Sequence, residues 1–159
     1  MSFIRNDGGR AEAGYKGKAG DCVTRSIAIA SGRPYAEVYA ALSKGTKTQR
    51  RTTRSGPYSS ARDGVHTTRK WFKDYMVTLG FRWVPTMQIG SGCTVHLTAD
   101  ELPSGRLVVA VSKHYTAMID GIIHDTHDPR RPMVETTPSN QTPRHIETRA
   151  VYGYWKLEG

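Results

Sequence analysis

Cysteine is nearly absent from this 159-residue chain: Cys22 and Cys93 are the only two. A disulfide framework is thereby excluded as the basis of the fold, and so few thiols suit a reducing compartment. Nowhere do the ~18 consecutive apolar residues of a membrane helix occur. The stretch Met1-Ser2-Phe3-Ile4-Arg5-Asn6-Asp7 also lacks the apolar centre of a secretory signal. A cytoplasmic protein without a membrane span is the expectation. Acidic side chains are scarce as well: 14 Asp and Glu stand against 23 Lys and Arg, a net charge of +9. That excess favours acidic partners, whether nucleic acid, anionic lipid or acidic polypeptide. Internal repeats are missing, as are zinc-finger, helix-turn-helix and aromatic-strand signatures of sequence-reading proteins.

What is present fits one domain over residues 1–159, long enough to bury a real core. Residues 5–20 interleave five glycines with Arg and Lys and read as a flexible basic approach to Cys22. Asp21 is placed as an N-cap for a first helix, Cys22 to Ser31, stopped by Gly32 and Pro34. A shorter helix follows from Tyr35 to Leu42. About residues 44–64, Lys44, Lys47, Arg50, Arg51, Arg54 and Arg62 sit among Thr, Ser and Gly, the composition of a basic flexible loop. His66 to Leu79 carries Trp71, Phe72, Tyr75 and Leu79 at helical spacing.

Thereafter the pattern turns to strands. Phe81 to Val84 is short, residues 85–93 are turn-rich, and Thr98-Ala99-Asp100-Glu101 matches a capping box. Leu107 to Ser112 is the apolar run of a buried strand. Tyr115 to Ile119 and Ile122 to Thr126 flank Asp120-Gly121, a strong hairpin signal. Residues 129–147 read as a long loop, and Arg149 to Leu157 as a last strand. Helices first and an antiparallel sheet afterwards define an α+β domain.

Cys22, in the first helical turn, feels the positive end of the helix, which favours thiolate. Asp21 opposes that ionisation, so a cationic partner is required. His114, opening a strand, can supply it. With a two-residue turn at Asp120-Gly121, Ile119 faces Ile122, Thr116 faces Asp125, and His114 faces His127. Alternation then puts these four later residues on one face of the sheet. Asp125 lies diagonally from His114, where a carboxylate can fix the ring's tautomer. Asp128 takes that place if the register shifts by one, and His127 competes as base.

An Asp-Cys pair opening an apolar helix, His114-Tyr115 opening a strand and Asp125 in the next strand resemble the papain-like cysteine peptidases. Among these, the leader-processing peptidases of bacteriocin exporters also place an acidic residue before the cysteine. The likeness covers roughly residues 16–31 and 107–129. It implies N-terminal helices packed on an antiparallel sheet, and hydrolysis of a peptide or isopeptide bond by Cys22, His114 and Asp125 without a cofactor. It further implies a peptide or protein substrate and a bacterial or phage source, and the basic loop favours an acidic substrate. Relatives carry a glutamine about six residues before the cysteine to bind the oxyanion; that position here is Lys16, a possible donor to the same oxygen. Arg50, Arg51 and Arg54 are the candidate substrate-steering residues.

Two other readings use different residues. Cys93-Thr94-Val95-His96 and His124-Asp125-Thr126-His127 have zinc-ligand spacing, but His124 and His127 fall three apart on a strand and point to opposite faces. No metal site is expected. Alternatively the basic loop and N-terminal segment make a non-catalytic module for nucleic acid or another polyanion, held through phosphates. The peptide-cleaving reading is preferred.

Overall fold

The apolar periodicity after Cys22 folds into helix α1, Cys22–Ser31, which ends where Gly32 adopts a left-handed φ of 71° and donates its N–H to the Ala28 carbonyl. The computed structural model describes residues 3–16, 20–48, 64–88, 90, 92–130 and 149–158. Helix α2 spans Tyr35–Thr48, six residues beyond the Leu42 expected from its apolar spacing. Its extra turn depends on Gly45, whose bare Cα lies against the Trp71 ring; a Cβ there would sit 2.1 Å from a ring carbon. Helix α3 covers Lys70–Thr78, and His66 to Arg69 form a turn before it rather than helix.

Six strands build the main sheet in the order β1-β7-β6-β5-β8-β2. They are β1 (Phe3–Arg5), β2 (Phe81–Pro85), β5 (Arg106–Val111), β6 (His114–Ile119), β7 (Ile122–Asp125) and β8 (Val151–Leu157). All neighbours pair antiparallel except β1, which lies parallel to β7 with Ile4 opposite His124. The sheet is therefore mixed rather than purely antiparallel, and the N-terminal segment is not simply a flexible approach. Asx turns at Asn6 and Asp7 organise its continuation, with Gly8 N–H to Asn6 Oδ1 at 2.8 Å and Gly9 N–H to Asp7 Oδ1 at 2.9 Å. The turn-rich link holds a second, two-stranded sheet of β3 (Met87–Gln88) and β4 (Gly92–Cys93). Thr98 to Glu101 forms a hydrogen-bonded turn, Glu101 N–H to the Thr98 carbonyl.

β5 is apolar along nearly its whole length because it is covered on both faces. Val108 joins Ile27, Val38, Leu42, Phe72 and Met76 in the core under the helices. Leu107, Val109 and Val111 pack instead with Leu97, Met118 and Ile123. Each fully buried side chain of this size contributes about 1.5–3 kcal/mol. One irregularity redirects the last strand. Ala110 pairs with Gly153 and Val111 with Val151, so Tyr152 is an extra residue opposite the β5 step. Val151 and Trp155, four residues apart and so on one face of a regular strand, consequently serve different cores. No helix among the described residues is long and apolar enough to cross a membrane.

Candidate active site

The Asp120-Gly121 turn sets the site's register, with both residues at positive φ, 49° and 80°, as a primed two-residue turn requires. Ile119 pairs with Ile122 and Ala117 with His124, the register expected from the sequence. His114 Nε2 lies 2.7 Å from Asp125 Oδ2, and the Thr116 hydroxyl donates to the same oxygen at 2.7 Å. Asp125 Oδ1 accepts the Thr126 backbone N–H at 2.7 Å. From the neighbouring strand, the Asn6 N–H donates to the Asp125 carbonyl at 2.8 Å, fastening β1 to this residue. Although burial raises the Asp125 carboxyl, its hydrogen bonds from His114 and Thr116 bring it below the usual value. It is thus a buried, satisfied carboxylate.

The N-terminal end of α1 meets the sheet where β6 begins. Cys22 hydrogen-bonds the His114 ring and the Tyr115 backbone. Since Nε2 is engaged by Asp125, Nδ1 is the nitrogen left to face sulfur. Burial alone would push the Cys22 thiol up; the His114 and Tyr115 hydrogen bonds, with the charges of His114 and Arg25, overcome it and lower it. His114 moves the opposite way. Burial disfavours its cation, yet Asp125 and Cys22 together raise it to about 9. Both directions favour an imidazolium beside a thiolate.

Asp21 does not cap α1 as its position suggests. No hydrogen bond from its side chain reaches the helix N–H groups, and the carboxylate is buried in a cationic clamp. Arg25, one turn along the helix, binds Asp21 Oδ1; Arg10 Nε lies 3.2 Å from Oδ2, and the Tyr35 hydroxyl donates to Oδ2 at 2.5 Å. Burial and the Asp21 carboxylate push the Tyr35 hydroxyl far up, so it remains a donor. Arg25 Nη2 also stands 3.8 Å from Asp125 Oδ1. One guanidinium thereby links the carboxylate before Cys22 with the carboxylate behind His114. The Asp21–Arg25 spacing of four residues on a helix was the available signal for this pair; Arg10 and Tyr35 had none.

The remaining candidates divide. Asp128 is paired with Arg130 Nη2 at 2.5 Å, leaving the orienting position to Asp125. The His127 ring packs on His114 with centroids 5.1 Å apart. Lys16 is exposed, its carbonyl accepts from Arg10 Nη2 at 3.2 Å, and it is not among the residues lining the cleft at Cys22. Arg50, Arg51 and Arg54 lie outside the described residues.

His124 and His96 are separately engaged, His124 Nδ1 with the Asn6 amide at 3.3 Å and His96 Nδ1 with Glu101 Oε1 at 3.2 Å. Among the described residues no group of three or more His, Cys, Asp and Glu side chains is placed to share a metal ion.

Cys22 and His114 open into a cleft of about 820 Å³ between α1, α3 and the β2–β8 side of the sheet. Trp83, Tyr152 and Trp155 form part of its wall, and Lys73 and Lys113 lie along it. The Trp83 ring rests against Gly153, where a Cβ would come within 2.4 Å of ring carbons. Neither the aromatic wall nor Lys73 stood out in the sequence, because Trp83 and Trp155 read as ordinary strand residues. Compared with family models, curated proteins and solved structures, the chain matches none of them.

Proposed function

We propose that this protein is a thiol hydrolase of papain-like design that cleaves an amide bond, peptide or isopeptide, through Cys22, His114 and Asp125. The observation supporting this reading is the continuous hydrogen-bonded series from Cys22 through His114 to Asp125 at the edge of an open cleft. A structural thiol needs neither a cationic imidazole nor a buried carboxylate behind it.

In the reaction, the Cys22 thiolate attacks the substrate carbonyl carbon and the carbonyl π electrons move to oxygen. The N–H groups of the first turn of α1, free of intrahelical partners, face developing negative charge favourably. Collapse of the intermediate breaks the C–N bond while His114 Nδ1 gives its proton to the departing amine. The thioester left on Cys22 is attacked by water, whose proton His114 takes. Breakdown returns thiolate and imidazolium. Throughout, Asp125 holds the Nε2–H and stabilises the cation without accepting its proton.

Labelling with a panel of electrophiles, followed by identification of the modified residue, tests the reading. Cys22 is expected to react with iodoacetamide faster than a free thiol below neutral pH, and His114→Ala to remove that advantage. Cys22→Ala and His114→Ala should each abolish amide turnover while leaving a folded protein. A Cys22 with ordinary reactivity, indifferent to His114→Ala, ends the proposal.

A further inference from the structure

The lining of the cleft is chemically one-sided. Arg25, Lys73 and Lys113 contribute permanent cations, while no Asp or Glu is among the described lining residues. This is not a mere reflection of composition, since the chain carries 14 acidic residues. Two carboxylates do lie nearby, Asp21 and Asp125, but both are buried behind the wall and engaged by Arg25. Lys113 holds a strained left-handed conformation, φ 55°, in the tight turn between β5 and β6 immediately before His114. That turn fixes the lysine's backbone beside the reacting groups.

Apolar surface accompanies the charge. Trp83 is 39% exposed and Tyr152 42%, large values for aromatics, and both border the same cleft. Gly153 lets the Trp83 ring approach β8 closely, and Trp83 stands against Trp155 at 5.2 Å between centroids. The bulge at Tyr152 gives its side chain a direction that regular alternation would not. The result is an aromatic shelf next to an array of cations, with Cys22 and His114 at its edge.

We infer that the cleft selects acidic peptides bearing a bulky aromatic residue near the cleaved bond, the ring seated on Trp83 and Tyr152 and the acidic group facing Lys73 and Lys113. The inference rests on the thiol-hydrolase reading for its chemistry, but the recognition it describes is separable from turnover. Cationic peptides meet like charge along the described lining, and small acidic peptides leave the shelf uncovered.

The test uses the full chain and tripeptide acyloxymethyl ketones carrying Trp and Glu in either order before a glycine. Matched probes replace Glu by Gln or Lys, or Trp by Ala. Second-order rates of Cys22 labelling are measured, and each probe is expressed as a ratio to its Trp/Gln counterpart. The better Trp/Glu order should label about fivefold or more faster than Trp/Gln at low ionic strength, with the Lys probe slowest. The ratio should shrink toward one near 0.3 M salt, where the Debye length is about 6 Å. Combined Lys73→Gln and Lys113→Gln should erase the Glu:Gln ratio, and Trp83→Ala the Trp:Ala ratio. Equal rates for Glu, Gln and Lys probes, or ratios unmoved by these substitutions, overturn the inference.

Should no electrophile distinguish Cys22 from a free thiol, the hydrolase reading fails on its own. Fluorescence titration with the unreactive Trp/Glu and Trp/Gln peptide amides then still decides the recognition, tighter binding of the Glu peptide being the supporting result. A fluorescent oligouridylate runs in parallel. Binding of that probe in competition with the peptide, lost in Trp83→Ala and stronger than any peptide tested, assigns the cleft to single-stranded nucleic acid instead.

Discussion

The proposed ion pair implies that folding moves a proton from Cys22 to His114, and this internal transfer has a measurable signature in stability against pH. In the unfolded chain at pH between about 6.5 and 8.5, His114 is mostly neutral and Cys22 mostly holds its proton. In the native state His114 is charged, its value raised to about 9, and the Cys22 thiol is lowered. A histidine raised on folding stabilises fully below its unfolded value of 6.5, and that contribution is lost as pH climbs through the folded value. A lowered thiol does the reverse: its contribution is present above the unfolded value and lost as pH falls through the folded one. Where the native pair is imidazolium and thiolate, one proton is gained and one released, so the pair makes stability nearly level with pH.

Cys22→Ala removes the compensating half. His114, still raised by Asp125 but now without sulfur, should make the variant lose stability as pH rises from 6.5. The wild-type lift of His114 from 6.5 to about 9 sets the ceiling of that loss. At 1.36 kcal/mol per unit, it is about 3 kcal/mol. Urea denaturation of wild type and variant at half-unit steps from pH 6 to 9.5 provides the difference curve, in which all other titrating groups cancel. A wild-type curve that falls in parallel with the Cys22→Ala curve shows that sulfur keeps its proton and that no ion pair forms.

Asp125→Asn should lower the NMR titration midpoint of His114 from about 9 toward 6.5 or below, since burial then goes unopposed by a carboxylate; an unmoved midpoint rules out the Asp125 interaction. The same substitution should shift the iodoacetamide profile of Cys22 to higher pH. Arg25→Met strips a shared guanidinium from two buried carboxylates and should cost about 3 kcal/mol in urea denaturation, with Arg25→Lys recovering part of it. A loss below about 0.5 kcal/mol, the scale of ordinary surface changes, would contradict the clamp. Gly45→Ala should destabilise by about 1–3 kcal/mol despite alanine's better helix propensity, because the added Cβ meets the Trp71 ring. A gain in melting temperature would mean that Trp71 yields freely.

The parts legible in the sequence are those determined locally. Asp120-Gly121 specifies its own turn, and the turn specifies which residues of β6 and β7 face each other, so His114, Thr116 and Asp125 could be aligned by counting. α1 announced itself through Val23, Ile27 and Ala30 and stopped at Gly32. The rest needed distant partners. Phe3-Ile4-Arg5 is too short to signal a strand, and its pairing lies some hundred and twenty residues away along the chain. α2 runs past Gly45 because Trp71 covers that glycine, a relation between two helices rather than within one. Asp21 looked like a cap because aspartate often is one; Arg10, Arg25 and Tyr35 compete for its oxygens and win. The cleft wall was hidden for a related reason, that one surplus residue in β8 changes which side chains face it.

That surplus residue makes the shape of the cleft a matter of chain length as much as of chemistry. Replacing Tyr152 would resize the opening and leave its frame intact. Removing Tyr152 would instead close the bulge, leaving Val151 opposite Val111 and Gly153 opposite Ala110 in regular succession and taking the exposed ring out of that margin. Homologous proteins that differ by a single insertion or deletion at this point would thus present unlike surfaces to their ligands while keeping the same sulfur, imidazole and carboxylate.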